Sequence, residues 1–305
     1  MRAATLWGVS APVALTSLIG CAAPAWSQQV ALPTMPPWLQ KVIAAKPPVV
    51  GIRQGDSYGS GVLLQAPGCP TAVLTNKHVV PLSRPIELIA LGRRLVDLDI
   101  QRLETVFAPE VDAALLVLKG SAPGELVQQA TSITDLAAMP PLFAGAAAPV
   151  RSFGYLARDM GKLNFKAAPG PVALVLTERT GSSAGVMSPP LKEGYDLVMD
   201  VNVEQGMSGG PILNVAGQVV GINAARALPA WDVPTILRNG TQASPRLAEL
   251  LDRSSLGLSM NQLLPELRRW QQTCTAAEAP VPAAPTPAAS TPAAATPVAT
   301  PAAEP

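Results

Sequence analysis

Histidine and cysteine are nearly missing from this chain of 305 residues, which holds one histidine, His78, and three cysteines, Cys21, Cys69 and Cys274. All-protein zinc sites take four ligands, mostly of those two types, so most of them are excluded. No acidic cluster has the spacing of an EF-hand calcium loop, and no metal or cofactor is expected. Three cysteines are also too few for a disulfide-dense scaffold. Charge is scarce and balanced: charged residues make up 14%, with 22 Lys and Arg against 21 Asp and Glu. A net charge of +1 leaves no strongly basic surface, so nucleic acid is not an expected partner. No internal repeat is visible, and no regular strand–helix alternation suggests a doubly wound sheet. Proline and glycine are plentiful, at 33 and 24, and argue for a loop-rich or all-β body over a helical bundle. The length suggests two domains of ordinary size.

The ends differ from the body. Residues 1–27 read as an export signal: Arg2 gives a short positive region, and 3–19 is mostly apolar and uncharged. That run contains Pro12 and falls a little short of the ~20 residues a membrane span needs. Ala25-Trp26-Ser27 offers small residues for signal-peptidase release before Gln28. Leu18-Ile19-Gly20-Cys21 competes with it as a lipobox, with 1–20 removed and Cys21 lipidated; a retained anchor is the third reading. Export to the periplasm or medium follows, with a lipid anchor in the bacterial envelope, and so any membrane contact, resting on Cys21. Either cleavage leaves Cys69 and Cys274 as the only unmodified pair. In an exported protein such a pair often forms one disulfide, the alternative being two separate buried thiols. Residues 275–305 are almost wholly Ala, Pro, Thr and Val, a composition that predicts an extended, disordered tail.

Between the ends, short apolar runs are broken by Gly, Pro or Asp. The runs 49–53, 60–65, 72–74, 86–90, 93–100 and 113–118 form one series. The runs 150–155, 172–177, 195–201, 211–213 and 218–223 form a second. Apolar and polar residues alternate from Leu95 to Ile100, the mark of a strand with one wet face. The pattern predicts an all-β body of two six-stranded antiparallel barrels, at 45–125 and 150–228, joined by a connector at 126–149. A helical extension over 229–274 follows. Ser244-Pro245 is a helix start, Leu247, Leu250 and Leu251 share one face, and Leu263, Leu264, Leu267 and Trp270 form a second stripe.

Three segments carry chemistry. Val73-Leu74-Thr75-Asn76-Lys77-His78-Val79-Val80 follows Ser60-Gly61-Val62-Leu63. Val111-Asp112-Ala113-Ala114-Leu115-Leu116 comes next. Glu204-Gln205-Gly206-Met207-Ser208-Gly209-Gly210-Pro211-Ile212 precedes Gly221-Ile222-Asn223-Ala224. A serine hydroxyl is a poor nucleophile until an imidazole can take its proton, and a carboxylate on the far ring nitrogen fixes the tautomer. The developing oxyanion needs donors set in advance, which glycine-rich backbone supplies without obstruction. Asp97 and Asp99 lie closer to His78 in sequence than Asp112 does. They sit on the alternating run, where solvent exposure is the simpler reading.

In the order His, Asp, Ser, these segments resemble the trypsin-like (chymotrypsin-fold) serine peptidases, and most closely the bacterial and chloroplast branch that includes the high-temperature-requirement proteases. The resemblance covers roughly residues 47–225. It implies two perpendicular six-stranded barrels, His78 as general base, Asp112 as its orienting carboxylate and Ser208 as nucleophile in the cleft between them. It further implies an oxyanion hole from the amides of Gly206 and Ser208. Asn202 would lie at the base of the primary specificity pocket, and Ala224, Ala225 and Arg226 along the substrate edge. Two departures stand out. Met207 occupies the place where trypsin has an Asp that pairs with a newly cut N-terminus, so activation by such a cut is not expected. The 80 residues after Ala225 leave no room, given the tail, for a PDZ domain. Neutral Asn202 suggests an uncharged, small or medium residue before the cut. The function that follows is an exported serine endopeptidase acting on polypeptides. The alternative is an inactive trypsin-like domain that binds peptides or serves as an envelope interaction module.

Overall fold

The computed structural model describes residues 47–278 apart from 82–83, 91, 96–97, 104, 121, 142–143, 145–146, 164–173 and 226–234. Cys21, the signal region, Asp97, Arg226 and the tail from 279 lie outside the described residues.

The first sheet contains β1 (Val49–Gln54), β2 (Ser57–Gln65), β3 (Ala72–Thr75), β4 (Glu87–Ala90), β5 (Arg93–Leu95), β6 (Asp99–Leu103) and β7 (Ala114–Lys119). They run in the order β5-β4-β1-β2-β3-β7-β6, with the short β8 (Thr131–Ser132) parallel to β2. The run 93–100 is therefore two strands. β5 pairs with β4 and β6 with β7, at opposite ends of the path. Only three residues join them. A link that short between opposite edges forces the sheet to curl back on itself, as a half-barrel.

The second sheet closes completely. Its strands are β9 (Ala148–Gly154), β10 (Thr177–Val186), β11 (Leu197–Asp200), β12 (Pro211–Asn214), β13 (Val219–Ala225) and β14 (Ser255–Ser259). The order β10-β11-β14-β13-β12-β9 returns to β10 through the β9–β10 ladder. The sixth stave, β14, lies inside the 229–274 stretch whose pattern predicts helix. Leu256 and Leu258 alternate there with Ser255, Gly257 and Ser259, and the run is too short to stand out between two leucine stripes. It bridges β11 and β13, so the barrel is closed by chain that follows the 150–228 series.

Four helices complete the described fold: α1 (Gly124–Gln129), α2 (Ala157–Met160), α3 (Pro245–Asp252) and α4 (Met260–Glu278). Ser244 caps α3, accepting the Leu247 N–H on its hydroxyl at 3.4 Å. A hydroxyl acceptor followed by proline in the first turn is a favourable helix start. Among the described residues no helix is long and apolar enough to cross a membrane.

The central strands of the first sheet are buried on both faces, which explains their unbroken apolar runs. Along β7, Ala114, Leu116 and Leu118 enter the core inside the half-barrel. Leu115 and Val117 face the other way, into a core shared with Phe153, Ile222 and Leu258 of the closed barrel. Leu263, Leu267 and Trp270 of α4 cover that shared core. The C-terminal helix is thus a wedge in the joint between the sheets, and the joint is where the candidate residues gather.

Candidate active site

His78 sits on a short 3-10 turn, Lys77–Val79, directly after β3. Asp112 precedes β7, the strand paired with β3, so the antiparallel ladder brings the two together. His78 Nδ1 lies 2.6 Å from Asp112 Oδ2, and the His78 backbone N–H donates to Oδ1 at 3.0 Å. Asn76, fully buried, donates its side-chain amide to the Asp112 carbonyl at 2.9 Å. The imidazole is about half exposed, 46%, while the carboxylate is 12% exposed. That gradient leaves the far ring nitrogen open to a reactant and shields the near one. Asp99 is exposed at the edge of the sheet.

Ser208 lies on the loop between β11 and β12. Its environment is built by Ser60 of β2, from the opposite sheet. The Ser60 N–H donates to the Ser208 carbonyl at 2.7 Å, and the Ser60 hydroxyl donates to the Gly206 carbonyl at 2.8 Å while accepting the Tyr155 N–H at 2.9 Å. Thr75, three residues before His78, donates to the Ser60 carbonyl at 2.7 Å. Gly209, at φ 82°, packs directly against Ser60 O and Thr75 Oγ1 where no Cβ would fit. The loop is closed from the other side by buried Asn223, which donates to the Phe153 and Met207 carbonyls and accepts from the Ser152 hydroxyl. The Ser208 hydroxyl donates to the Ala224 carbonyl at 3.1 Å. Release of the hydroxyl from that carbonyl takes a turn about χ1, a rotation between staggered wells.

The amides around Ser208 divide into two groups. Met207 N–H donates to the Glu204 carbonyl, Gly209 N–H to Asn223 and Gly210 N–H to Met207. The N–H groups of Gly206 and Ser208 have no acceptor among the described residues, although Gly206 is buried. Buried donors are seldom left unpaired without a function. The direction of the Gly206 N–H is set as well. Ala157 N–H, at the start of α2, holds the Gln205 carbonyl at 2.8 Å. In a trans peptide the following N–H points the opposite way. Gly206 takes φ 99°, and a methyl there would stand 2.5 Å from Tyr155 O and against the Ala157 nitrogen, so only glycine holds this peptide as it is.

Glu204, two residues ahead of Gly206, bridges Arg179 of β10 and Arg158 of α2; the Arg158 contact is 2.5 Å. Those two guanidinium groups, Arg179 first, hold its carboxyl below the usual carboxylate range. Met207 is fully buried in the core of the closed barrel.

Ala224 is buried and Ala225 half-buried at the end of β13. Asn202 is exposed between buried Val201 and Val203, whose backbone is braced by the buried Ser255 hydroxyl. Cys69 and Cys274 bring their sulfurs to bonding distance with Cα atoms 5.5 Å apart, within ordinary disulfide geometry. Among the described residues no group of three His, Cys, Asp or Glu side chains could hold a metal ion.

Two contributors play parts that the sequence motifs do not reveal, although Ser60 heads one of those motifs. Ser60 is one hydroxyl in a glycine-rich strand. Tyr195 approaches from the loop before β11 and donates to Asp112 Oδ2 at 2.8 Å. Both act across the joint between the sheets, at separations no local pattern reports.

Serine protease Rv3671c of Mycobacterium tuberculosis (strain ATCC 25618 / H37Rv) is 29% identical over 208 residues, 66% of this chain and 46% of that protein. The chain thus spans about half the length of the curated relatives it matches. Among solved structures, the active form of the Rv3671c protease aligns with TM-score 0.47 at 22% identity, covering 86% of this chain and 93% of that one. The HtrA-type protease AlgW with tripeptide aligns with TM-score 0.47 at 18% identity, covering 78% and 64%. The family model described as a trypsin-like peptidase domain matches residues 59–222, more than half of the chain, from β2 to β13; the chain belongs to that family.

Proposed function

We propose that this protein is an exported serine endopeptidase that cleaves polypeptides through an acyl-enzyme on Ser208. One observation carries the reading: an imidazole is oriented by a shielded carboxylate, and Thr75 and Ser60 tie the strand before it to the loop that bears Ser208 and two amides without an acceptor among the described residues. With Nδ1–H donated to Asp112, Nε2 is left as the proton acceptor. Ser208 Oγ turns from the Ala224 carbonyl and attacks the scissile carbonyl carbon as its proton passes to Nε2. The carbonyl oxygen becomes an oxyanion that accepts from Gly206 and Ser208 N–H. His78 then returns the proton to the departing amine, and the C–N bond breaks. Water, deprotonated by the same Nε2, attacks the ester and releases the acid and free Ser208.

The substrate main chain is expected to lie along Ala224, Ala225 and Arg226, with an uncharged side chain directed toward Asn202. Export, whether by release before Gln28 or by lipidation at Cys21, is part of the proposal, as is oxidation of the Cys69–Cys274 pair in that compartment. Met207 offers no charge to a new α-amino group, so activity is expected without an internal cut. The test is hydrolysis of casein and a peptide library by the chain from Gln28 and by Ser208→Ala and His78→Ala. Each variant is expected to lose several orders of magnitude in kcat while folding normally. Hydrolysis by Ser208→Ala at the parent rate would remove the assignment.

A further inference from the structure

The carboxylate of Asp112 is held by three donors. Two belong to His78 itself, its backbone N–H on Oδ1 and its ring on Oδ2. The third is the Tyr195 phenol, 2.8 Å from Oδ2, the oxygen the ring also uses. Among the described residues, Tyr195 is therefore the one side chain that fixes this carboxylate independently of the histidine it orients. It comes from the closed barrel, whereas Asp112 and His78 belong to the first sheet.

Tyr195 is itself held in place. Its carbonyl accepts the Leu191 N–H at 2.8 Å, and Gly194 N–H donates to Leu191 at 2.9 Å. The next residue, Asp196, is buried and locked to the end of β14, accepting the Ser259 N–H at 2.7 Å and hydroxyl at 2.5 Å. The ring packs between the shared core and a second cluster beside α3. The same loop also takes the Asp112 N–H on the Glu193 carbonyl at 3.0 Å. Burial, and next the negative charge of Asp112, push the phenol up from its ordinary value, so it remains a donor throughout the neutral range. Charged groups around this contact are few. Glu193 adds negative charge, Lys77 caps the Ala108 and Pro109 carbonyls, and Arg238 lies beside Gly194.

We propose that Tyr195 is a positioning residue for the triad, holding Asp112 Oδ2 in line with His78 Nδ1 and drawing off part of its negative charge. The proposal rests on the peptidase reading above for its kinetic consequence but not for its effect on the imidazole. A phenol that only satisfied itself would pack equally well as a phenyl ring, and its loss would leave His78 unaltered. A phenol that shares the carboxylate's charge behaves otherwise. Without it, Asp112 attracts the imidazolium more strongly and orients the ring less sharply.

The experiment is Tyr195→Phe in the chain from Gln28, which keeps the ring and its packing. Because His78 is the only histidine, its imidazole signals in an NMR titration need no assignment. In Tyr195→Phe the imidazole titration is expected to move to higher pH, and the acid limb of kcat/KM to move with it. kcat should fall about tenfold with KM within a factor of two, the size of one charge-assisted hydrogen bond. A folded variant with unchanged titration, unchanged acid limb and unchanged kcat overturns the proposal while leaving the peptidase reading intact. A parent protein that hydrolyses nothing, but whose imidazole titration still moves in the variant, supports the positioning role and overturns the peptidase reading instead.

Discussion

Replacing Gly206 by alanine tests the oxyanion geometry at one atom. At φ 99° an alanine costs about 1–3 kcal/mol before any contact is counted. The added methyl stands 2.5 Å from Tyr155 O and against the Ala157 nitrogen, and both are backbone atoms that no rotamer change can move. Relief requires roughly an ångström of displacement, either of the turn into α2 or of the Gln205–Gly206 peptide. Either movement breaks the Ala157 N–H bond to the Gln205 carbonyl, which contributes about 1 kcal/mol to stability. It also re-aims the Gly206 N–H, and loss of one oxyanion donor costs about a hundred- to a thousandfold in kcat. The expected result for Gly206→Ala is thus a stability loss of about 2–4 kcal/mol in denaturant unfolding, as those terms combine. With it comes a fall in kcat of at least a hundredfold, with KM little changed. A folded variant whose kcat stays within threefold of the parent would refute the assignment of this amide to the oxyanion.

Three further outcomes follow from other parts of the molecule. Burial pushes the Asp196 carboxyl up to about 6 from an ordinary 3.8. A carboxyl whose folded value is raised contributes stability that is fully present below the unfolded value and lost as pH rises through the folded one. Between about pH 4 and 6 the parent should therefore lose up to about 3 kcal/mol relative to Asp196→Asn, measured as the difference between their unfolding free energies; parallel curves would contradict it. Glu204→Gln removes the carboxylate that bridges Arg158 and Arg179. Stability is expected to change by about 1 kcal/mol or less, since the pair is partly exposed, while kcat falls several-fold as the loop before Gly206 loosens; an unchanged kcat would show that the bridge does not brace the oxyanion. Cys274→Ser should lower stability by about 2–4 kcal/mol in oxidised protein, and mass spectrometry that finds both thiols free after export would remove the disulfide.

The legible and illegible parts of this protein divide by range. The segments around His78, Asp112 and Ser208 stand out because each role constrains its own neighbours: buried Thr75 and Asn76 ahead of the imidazole, an apolar strand after the carboxylate, small residues around the serine. The helix start at Ser244-Pro245 is equally local, a hydroxyl and a fixed φ. β14 escapes notice because five residues with two leucines make no statement until β11 and β13 are in place to flank them. The break within 93–100 is hidden for a similar reason. Alternation continues through the residues there, and only the pairing of β5 and β6 with different partners separates them. Tyr195, Ser60 and Glu204 act through contacts 25 to 148 residues away, to Arg179, Asp112 and Ser208 among others, so their chemistry depends on the joint between the sheets.

That joint is also where the division of labour becomes physical. In the proposed reaction the first sheet supplies the proton acceptor and its carboxylate, and the closed barrel supplies the nucleophile and the amides. Ser60 and Tyr195 cross between them in opposite directions, one fixing the nucleophile loop and the other reaching the carboxylate. Leu263, Leu267 and Trp270 of α4 pack in the core that the two sheets share.

The central claim is that Ser208 is a nucleophile activated by His78. Its most direct measurement is covalent labelling by a fluorophosphonate, with the modified residue located by mass spectrometry. The expected result is one adduct, on Ser208, formed by the folded chain from Gln28 and reduced at least a hundredfold in rate in His78→Ala. Folded protein that takes no label, or that takes it equally fast without the imidazole, would contradict the claim.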